Sequence, residues 1–360
     1  MASSKTQNMW MTMEEEDQAM MSIWPDIIRD ITEVPRNLNI PDVDKWLEKV
    51  LEYNIPKSKK LYSLSVVYAY KSLVPEEQQT EDNIRLVRVL AWCLELASCY
   101  LLLIDDILDE SLLRRNKPCW HRYNNIGVMA VNDGFLLESA IYYLLKKYFK
   151  EKECYINLVE AFQEVIFMTN LAQCLDMHST KFKKPNGLTN LDLFTINRCT
   201  LLSKHKAFMT STSIVAAMHF AGIKDPEMFK EAKNISLDIG LLIQDQDDYL
   251  DCYENYENFL KLSTDIEEGK CTWGIVTALQ HVTPEQRKIL EECYGVSDPE
   301  KVRRVKQLFT DIDLPNIYSK HEKETYNKIH ERIQQISCGL PRKYFFDLLE
   351  KLYHRKECCF

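Results

Sequence analysis

Apolar positions along the chain recur at helical rather than strand spacing, in long segments divided by short polar breaks. From residue 23 onward the pattern runs through WPDIIRDITEV and DVDKWLEKVLEYN. A longer segment then opens after Thr80 and continues through IRLVRVLAWCLELASCYLLLIDDILD. Further helices are predicted at AVNDGFLLESAIYYLLKKYF, CYINLVEAFQEVIFMTNLAQCLDM, LDLFTINRCTLLSKHKAFMTSTSIVAAMHFAG and PEMFKEAKNISLDIGLLIQDQDDYLDCY. Most are apolar on more than one face, as central helices of a large bundle must be. In TPEQRKILEECYG a Thr cap, Pro at the first helical position, Gln closing a capping box and a final Gly mark both helix ends.

Composition sharpens this to an all-α fold. Only 9 glycines in 360 residues leave little material for strand turns, and 46% hydrophobic residues suffice for a substantial core. No composition shift marks a linker, so residues 23–360 are expected to form one domain behind a flexible tail at 1–22. The net charge of -9, with no Lys/Arg-rich tract, argues against nucleic acid or an anionic membrane as main partner. The longest apolar run, around YLLLI, is far short of the roughly 20 residues of a membrane span. Twelve cysteines without metal-ligand spacing read as reduced core thiols, and the expected location is the cytoplasm.

Chemistry enters with a motif that occurs twice. LLLIDDILDE places Asp105, Asp106 and Asp109 directly behind an apolar run, and QDQDDYLD repeats the spacing with Asp247, Asp248 and Asp251. On a helix the first and last acids of D-D-x-x-D lie one turn apart on one face. A carboxylate near an apolar interior is costly unless positive charge meets it. Two such helices facing each other make a cage of hard oxygen ligands suited to Mg²⁺, which bridges carboxylates to substrate phosphates. Arg114 and Arg115 follow the first copy, and Lys261 and Lys270 the second, as donors for an anionic leaving group. A solvated acidic helix end is the competing reading of either copy alone.

With these motifs, LEYN, WCLEL, DDILDESLLRRNKPCWHR, VNDGFLLESAIYYLL, QCLDM, DDYLDCY and TDIEEGKCTW, the chain resembles the trans-isoprenyl diphosphate synthases from about Trp24 to Tyr353. The resemblance implies the isoprenoid synthase fold, a large helical bundle around a deep central cavity, and a homodimer. It also implies three Mg²⁺ ions held by the acids of both motifs. Arg114, Lys206 and Lys261 would then act on an allylic diphosphate, with Gln173, Asp176, Gln244 and Lys270 completing the lining. Tyr100, Phe167, Phe208 and Tyr249 are candidates for an aromatic cavity wall, and each equally fits an ordinary core.

The pattern breaks where a second substrate, isopentenyl diphosphate, would bind. The family's G-G-K-x-x-R appears here with Lys57 and Ser58 at the glycines, Lys59 kept, and Tyr62 at the arginine. The glutamine seven residues before the first motif is Ser98, the family's Lys-Thr pair is Lys206-Ala207, and a nearby tyrosine aligns with Thr210; Arg115 remains. Losing one guanidinium clamp removes about 1.5 to 3 kcal/mol of charge-assisted bonding. An intact ionising site beside an eroded acceptor site leads to the expectation of a terpene synthase that releases a sesquiterpene from farnesyl diphosphate, with geranyl diphosphate also open as substrate. The alternative is a chain-elongating synthase that condenses an allylic diphosphate with isopentenyl diphosphate. A non-catalytic partner subunit is a third reading, which two complete motifs disfavour.

Overall fold

The computed structural model describes residues 14–56, 58–181, 183–184, 187–253 and 265–353. Helices supply the architecture, and the chain is all-α with the isoprenoid synthase fold. They are α1 (Trp24–Ile31), α2 (Glu33–Asn37), α3 (Pro41–Asn54), α4 (Leu61–Leu73), α5 (Glu81–Leu108), α6 (Met129–Phe149), α7 (Tyr155–Lys181) and α8 (Ile196–Lys206). The series continues with α9 (Phe208–Phe220), α10 (Pro226–Tyr253), α11 (Asp265–Glu268), α12 (Trp273–His281), α13 (Pro284–Cys293), α14 (Pro299–Asp311), α15 (Leu314–Gln334) and α16 (Arg342–Tyr353). The one sheet among the described residues is a minimal hairpin, β1 (Leu113–Arg114) against β2 (Lys117–Pro118). Its two-residue turn holds Arg115 and Asn116 at φ 53° and 58°, the left-handed pair that a twisted tight hairpin demands.

The helix ends follow the local chemistry of the chain. Thr80 caps α5 by accepting from the Asn83 N–H at 3.3 Å. At α13 the full capping box forms: Thr283 Oγ1 accepts from Gln286 N at 3.2 Å, and Gln286 Oε1 accepts from Thr283 N at 3.0 Å. The tail is shorter than the pattern predicts, because residues 14–22 are helical. Met20 is fully buried and its carbonyl accepts from the Trp92 indole at 3.2 Å. A run of three glutamates obscures this amphipathic turn in the sequence; Glu16 is no solvated charge but the partner of Lys71 and Arg88, at 2.6 and 2.5 Å.

Central helices α4, α5, α6, α7, α9 and α10 pack around one core, α5 chiefly on α6, and α9 on both α4 and α10. By length and apolar composition α5 could cross a membrane, but most of it is buried between neighbours, the ordinary state of a core helix. A second, smaller core gathers Phe194, Leu202, Cys252, Ile275, Tyr294, Phe309 and Leu314 beneath α8, α12 and α14. Between α3 and α6, the buried carboxylate of Asp133 accepts from two indoles, Trp46 Nε1 and Trp120 Nε1, both at 2.8 Å.

The break between α8 and α9 falls at Ala207, where α10 comes closest. A Cβ added to Gly240 would sit 2.6 Å from the Ala207 Cβ and 3.1 Å from its Cα. Only a residue without a side chain lets these backbones meet. Lys206, next to Ala207, and Gln244, one turn beyond Gly240, both line the cleft described below.

Candidate active site

A cleft of about 1200 Å³, counted to where it opens into solvent, runs between the central helices. Its wall is built from stripes at i, i+3/i+4 and i+7, the spacing of one helix face. From α5 come Ser98, Leu101, Leu102 and Asp105; from α7 come Thr169, Gln173 and Asp176. Helices α8 and α9 add Leu202, Ser203, Lys206 and Met209, and α10 adds Gln244, Asp247, Asp248 and Asp251. Arg114 and the segment Asp265, Lys270, Cys271 and Thr272 close the mouth.

The stripe explains why the aromatic candidates fall elsewhere. Tyr100, Phe208 and Tyr249 each stand one residue from a lining position, about 100° around the helix, and Phe167 stands two from Thr169, about 200° around it. Tyr100 is buried in the core and its hydroxyl accepts from Asn170 at 3.2 Å, while Phe167 is 63% exposed on the outside. Phe208 is buried against the His205 ring, and Tyr249 stacks on Tyr318 with ring centroids 3.8 Å apart. The apolar wall is instead aliphatic, formed by Leu101, Leu102, Leu202 and Met209.

The first acid motif is met by the chain's own cations, the second by amide donors. Arg114 lies over Asp106, with Nη2 2.6 Å and Nε 3.1 Å from Oδ1, and extends to Asp105 at 3.5 Å. Lys270 Nζ stands 2.5 Å from Asp109, 3.1 Å from Glu268 and 3.8 Å from Asp265. Lys206 Nζ is 3.5 Å from Asp176. In the second motif, Asp248 accepts from Gln244 Nε2 and from the Trp273 backbone N–H, both at 2.8 Å. Asp251 accepts from the Asp265 N–H at 3.2 Å.

Burial sets the protonation of the deeper groups. It pushes the Asp248 carboxyl up to about 7 against the opposing pull of Lys206. Asp109 is raised for the same reason, with Asp105 adding repulsion. Lys206, half-buried in the site, is held above its ordinary value by Asp176, which outweighs the desolvation of the ammonium.

Ten of the sequence-derived site residues therefore share one cleft: Asp105, Arg114, Gln173, Asp176, Lys206, Gln244, Asp247, Asp248, Asp251 and Lys270. Asp106 and Asp109 join through Arg114 and Lys270. Arg115 turns outward from the hairpin and donates to Asn54 O at 2.9 Å, while Lys59 is exposed on the α3–α4 loop; neither lines the cleft. Lys261 lies outside the described residues. Asp265, Cys271, Thr272 and Ser203 were missed, although three of the four stand within the TDIEEGKCTW stretch whose aligned lysine was chosen.

The donor set suits a divalent cation that prefers oxygen. Carboxylates from two rigid helices face one space, and ammonium and guanidinium groups hold the positions where positive charge is needed. Among the described residues no three His, Cys, Asp or Glu side chains are arranged around a vacant metal position; Arg114 and Lys270 engage the first-motif carboxylates.

The chain is similar to known proteins along nearly its whole length. The Polyprenyl synthetase family matches residues 44–312. Farnesyl pyrophosphate synthase of Murgantia histrionica is 40% identical over 346 residues, covering 96% of this chain and 83% of that protein. The Gallus gallus enzyme of the same name is 36% identical over 348 residues, covering 96% and 94%. Among solved structures, T. brucei farnesyl diphosphate synthase complexed with risedronate superposes with a TM-score of 0.86 at 25% identity, covering 94% of this chain and 99% of that one.

These relatives correct the expectation of a terpene synthase. Full-length likeness at 36–40% identity is to farnesyl pyrophosphate synthases, and it supports the chain-elongating alternative. Tyr62 and Ser98 each represent the loss of a single donor. A loss of one clamp lowers affinity without deciding the reaction.

Proposed function

The chain belongs to the polyprenyl synthetase family and is an enzyme of the prenyl-transferring kind, and from that premise we propose that it condenses an allylic diphosphate with isopentenyl diphosphate to give a product of farnesyl length. The observation that carries this reading is the cleft itself, where Lys206, Lys270 and Arg114 face carboxylates from two helices above an aliphatic wall.

In this reaction the allylic C1–O bond breaks and its electron pair leaves with the diphosphate. The double bond of isopentenyl diphosphate supplies the pair that forms the new carbon–carbon bond. A proton then leaves the adjacent carbon, and the released diphosphate accepts it. Asp105, Asp106, Asp109, Asp247, Asp248 and Asp251 would hold Mg²⁺, proposed as three ions, whose Lewis-acid charge would stabilise the departing oxygens. Lys206, Lys270 and Arg114 orient the diphosphate, and Lys261 is assigned to the same group. Their charges favour the separated state over the bound ester, since negative charge grows on the leaving oxygens. Gln173 and Gln244 order the polar end of the cleft, with Asp176 holding the Lys206 ammonium. Leu101, Leu102, Leu202 and Met209 keep water from the cation. Lys59 and Arg115 are assigned to the acceptor diphosphate.

A homodimer belongs to the same proposal. Exposed Phe135 on α6, Phe167 and Leu171 on α7 and Leu201 on α8 support it, because apolar groups of this size are seldom left to water. Light scattering should give twice the 42.4 kDa chain mass.

Incubating the purified protein with Mg²⁺ and geranyl diphosphate, with and without isopentenyl diphosphate, tests the function. Farnesyl diphosphate formed only with both substrates is the expected result. An allylic substrate consumed without elongation would overturn it.

A further inference from the structure

The loop that joins α3 to α4 is organised around one of its own lysines. Lys60 is 5% exposed, and its backbone is left-handed at φ 48° and ψ 26°, a conformation that a residue with a Cβ adopts only when its surroundings impose it. Its ammonium donates to Pro56 O at 3.1 Å and Ser58 O at 3.4 Å, and stands 3.2 Å from Asp17 Oδ1. Two backbone carbonyls thus accept from the ammonium while the Asp17 carboxylate stands beside it as counter-ion, the company a buried charge requires. The loop wraps its own cation, so the charge of Lys60 is used internally and is turned from the cleft.

Asp17 belongs to the helical stretch 14–22, whose next-door Glu16 is fixed to Lys71 of α4 and Arg88 of α5. At the other end of the same loop, Arg115 donates to Asn54 O. The loop is therefore pinned at both ends, by Arg115 at its start and by Lys60 with Asp17 at its finish. Lys59 lies between the pins.

We propose that Lys60 and Asp17 are positioning residues for the acceptor subsite: the N-terminal helix, through this pair, sets the loop shape that presents Lys59 to the diphosphate of isopentenyl diphosphate. The inference rests on the chain-elongating reading. Glycines in the family's loop allow the backbone to approach a phosphate closely; here Ser58 stands at the second of them, and the internal lysine supplies the curvature instead.

Steady-state kinetics of the full chain test this with Lys60→Met, which keeps the apolar stem, with Lys60→Arg, with Asp17→Asn, and with the Lys60→Met/Asp17→Asn double variant. Lys60→Met should raise KM for isopentenyl diphosphate about tenfold, the equivalent of one lost charge-assisted bond, while KM for the allylic substrate stays within about twofold. Asp17→Asn should give a smaller rise in the same KM, and the double variant should be no worse than Lys60→Met, because the two residues act as one unit. Lys60→Arg should restore much of the affinity. Equal rises in both KM values, unchanged kinetics, or additive effects of the two substitutions would overturn the proposal. If Lys60→Met does not fold, Asp17→Asn, on a side chain 42% exposed, still decides it by the same split. Wild-type protein that makes no elongated product would remove the reading beneath it, an outcome distinct from an elongating enzyme whose KM values fail to separate.

Discussion

Lys270 and Asp109 meet at 2.5 Å across the mouth of the cleft although 161 residues separate them in the chain. The contact joins the end of the first-motif helix to the segment that follows the second motif, with Glu268 and Asp265 sharing the same ammonium. In the ligand-free protein this lysine neutralises acids that a metal would otherwise meet. On the proposed reading, a metal that took those acids would free Lys270 for a diphosphate.

Lys270→Gln should therefore separate two properties that usually fall together. Turnover should drop about a hundredfold through loss of a diphosphate cation. Mg²⁺ binding to the ligand-free protein should tighten, because Asp109, Glu268 and Asp265 lose their internal counterion. Calorimetric titration with Mg²⁺ alone checks the second effect, and unchanged or weaker binding would contradict the assignment.

Asp248 makes metal binding depend on pH. Its carboxyl is raised from 3.8 to about 7 by burial, so near pH 6 most molecules carry a proton there that a metal must displace. Mg²⁺ affinity should rise from pH 6 to pH 8, with proton release visible as a buffer-dependent binding enthalpy. The folded state binds this proton more tightly than the unfolded chain, so the metal-free protein loses stability as pH climbs from about 4 to about 7. Asp248→Asn should remove both the proton release and that part of the stability slope.

Asp133 offers a test of the scaffold alone. Asp133→Asn keeps the shape but turns one of two acceptors into a donor facing an indole N–H. One buried donor is then left unmatched. A loss of about 2 to 4 kcal/mol is expected, read as a lower urea midpoint with unchanged slope.

Thiol labelling checks the depth of the cleft. Cys271 lines it, but burial pushes its thiol up to about 12, whereas Cys174 is exposed on α7. At pH 8 iodoacetamide should modify Cys174 well before Cys271, since only the thiolate reacts. Peptide mass analysis would reveal the opposite order if the cleft were more open than described.

Much of this was legible because short-range rules governed it. The Thr80 and Thr283 caps, the two aspartate triplets and Arg114 behind the first of them all depend on residues within about two turns. Helical phase was equally readable and was not applied: Tyr249 is adjacent to Asp248, yet about 100° away around the helix it packs on Tyr318. What the chain does not advertise is which cation serves which acid. Arg114 and Arg115 are neighbours, but the left-handed turn that begins at Arg115 sends one guanidinium to Asp106 and the other to Asn54 O. The function was misjudged for a related reason. Tyr62 and Ser98 were weighed as losses one at a time, without the loop geometry that Lys60 and Asp17 impose.

The approach of Gly240 to Ala207 bears on how such an enzyme can diversify. Ser98, Leu101, Leu102 and Met209 present side chains to the cleft, so exchanging them for groups of similar bulk reshapes the space without moving a helix backbone. Gly240 has no such latitude: any side chain there wedges α10 from the α8–α9 break and moves Gln244 relative to Lys206 in the same stroke. Descendants of this chain can drift toward new product lengths through the wall, but the gauge between those two helices is inherited unchanged.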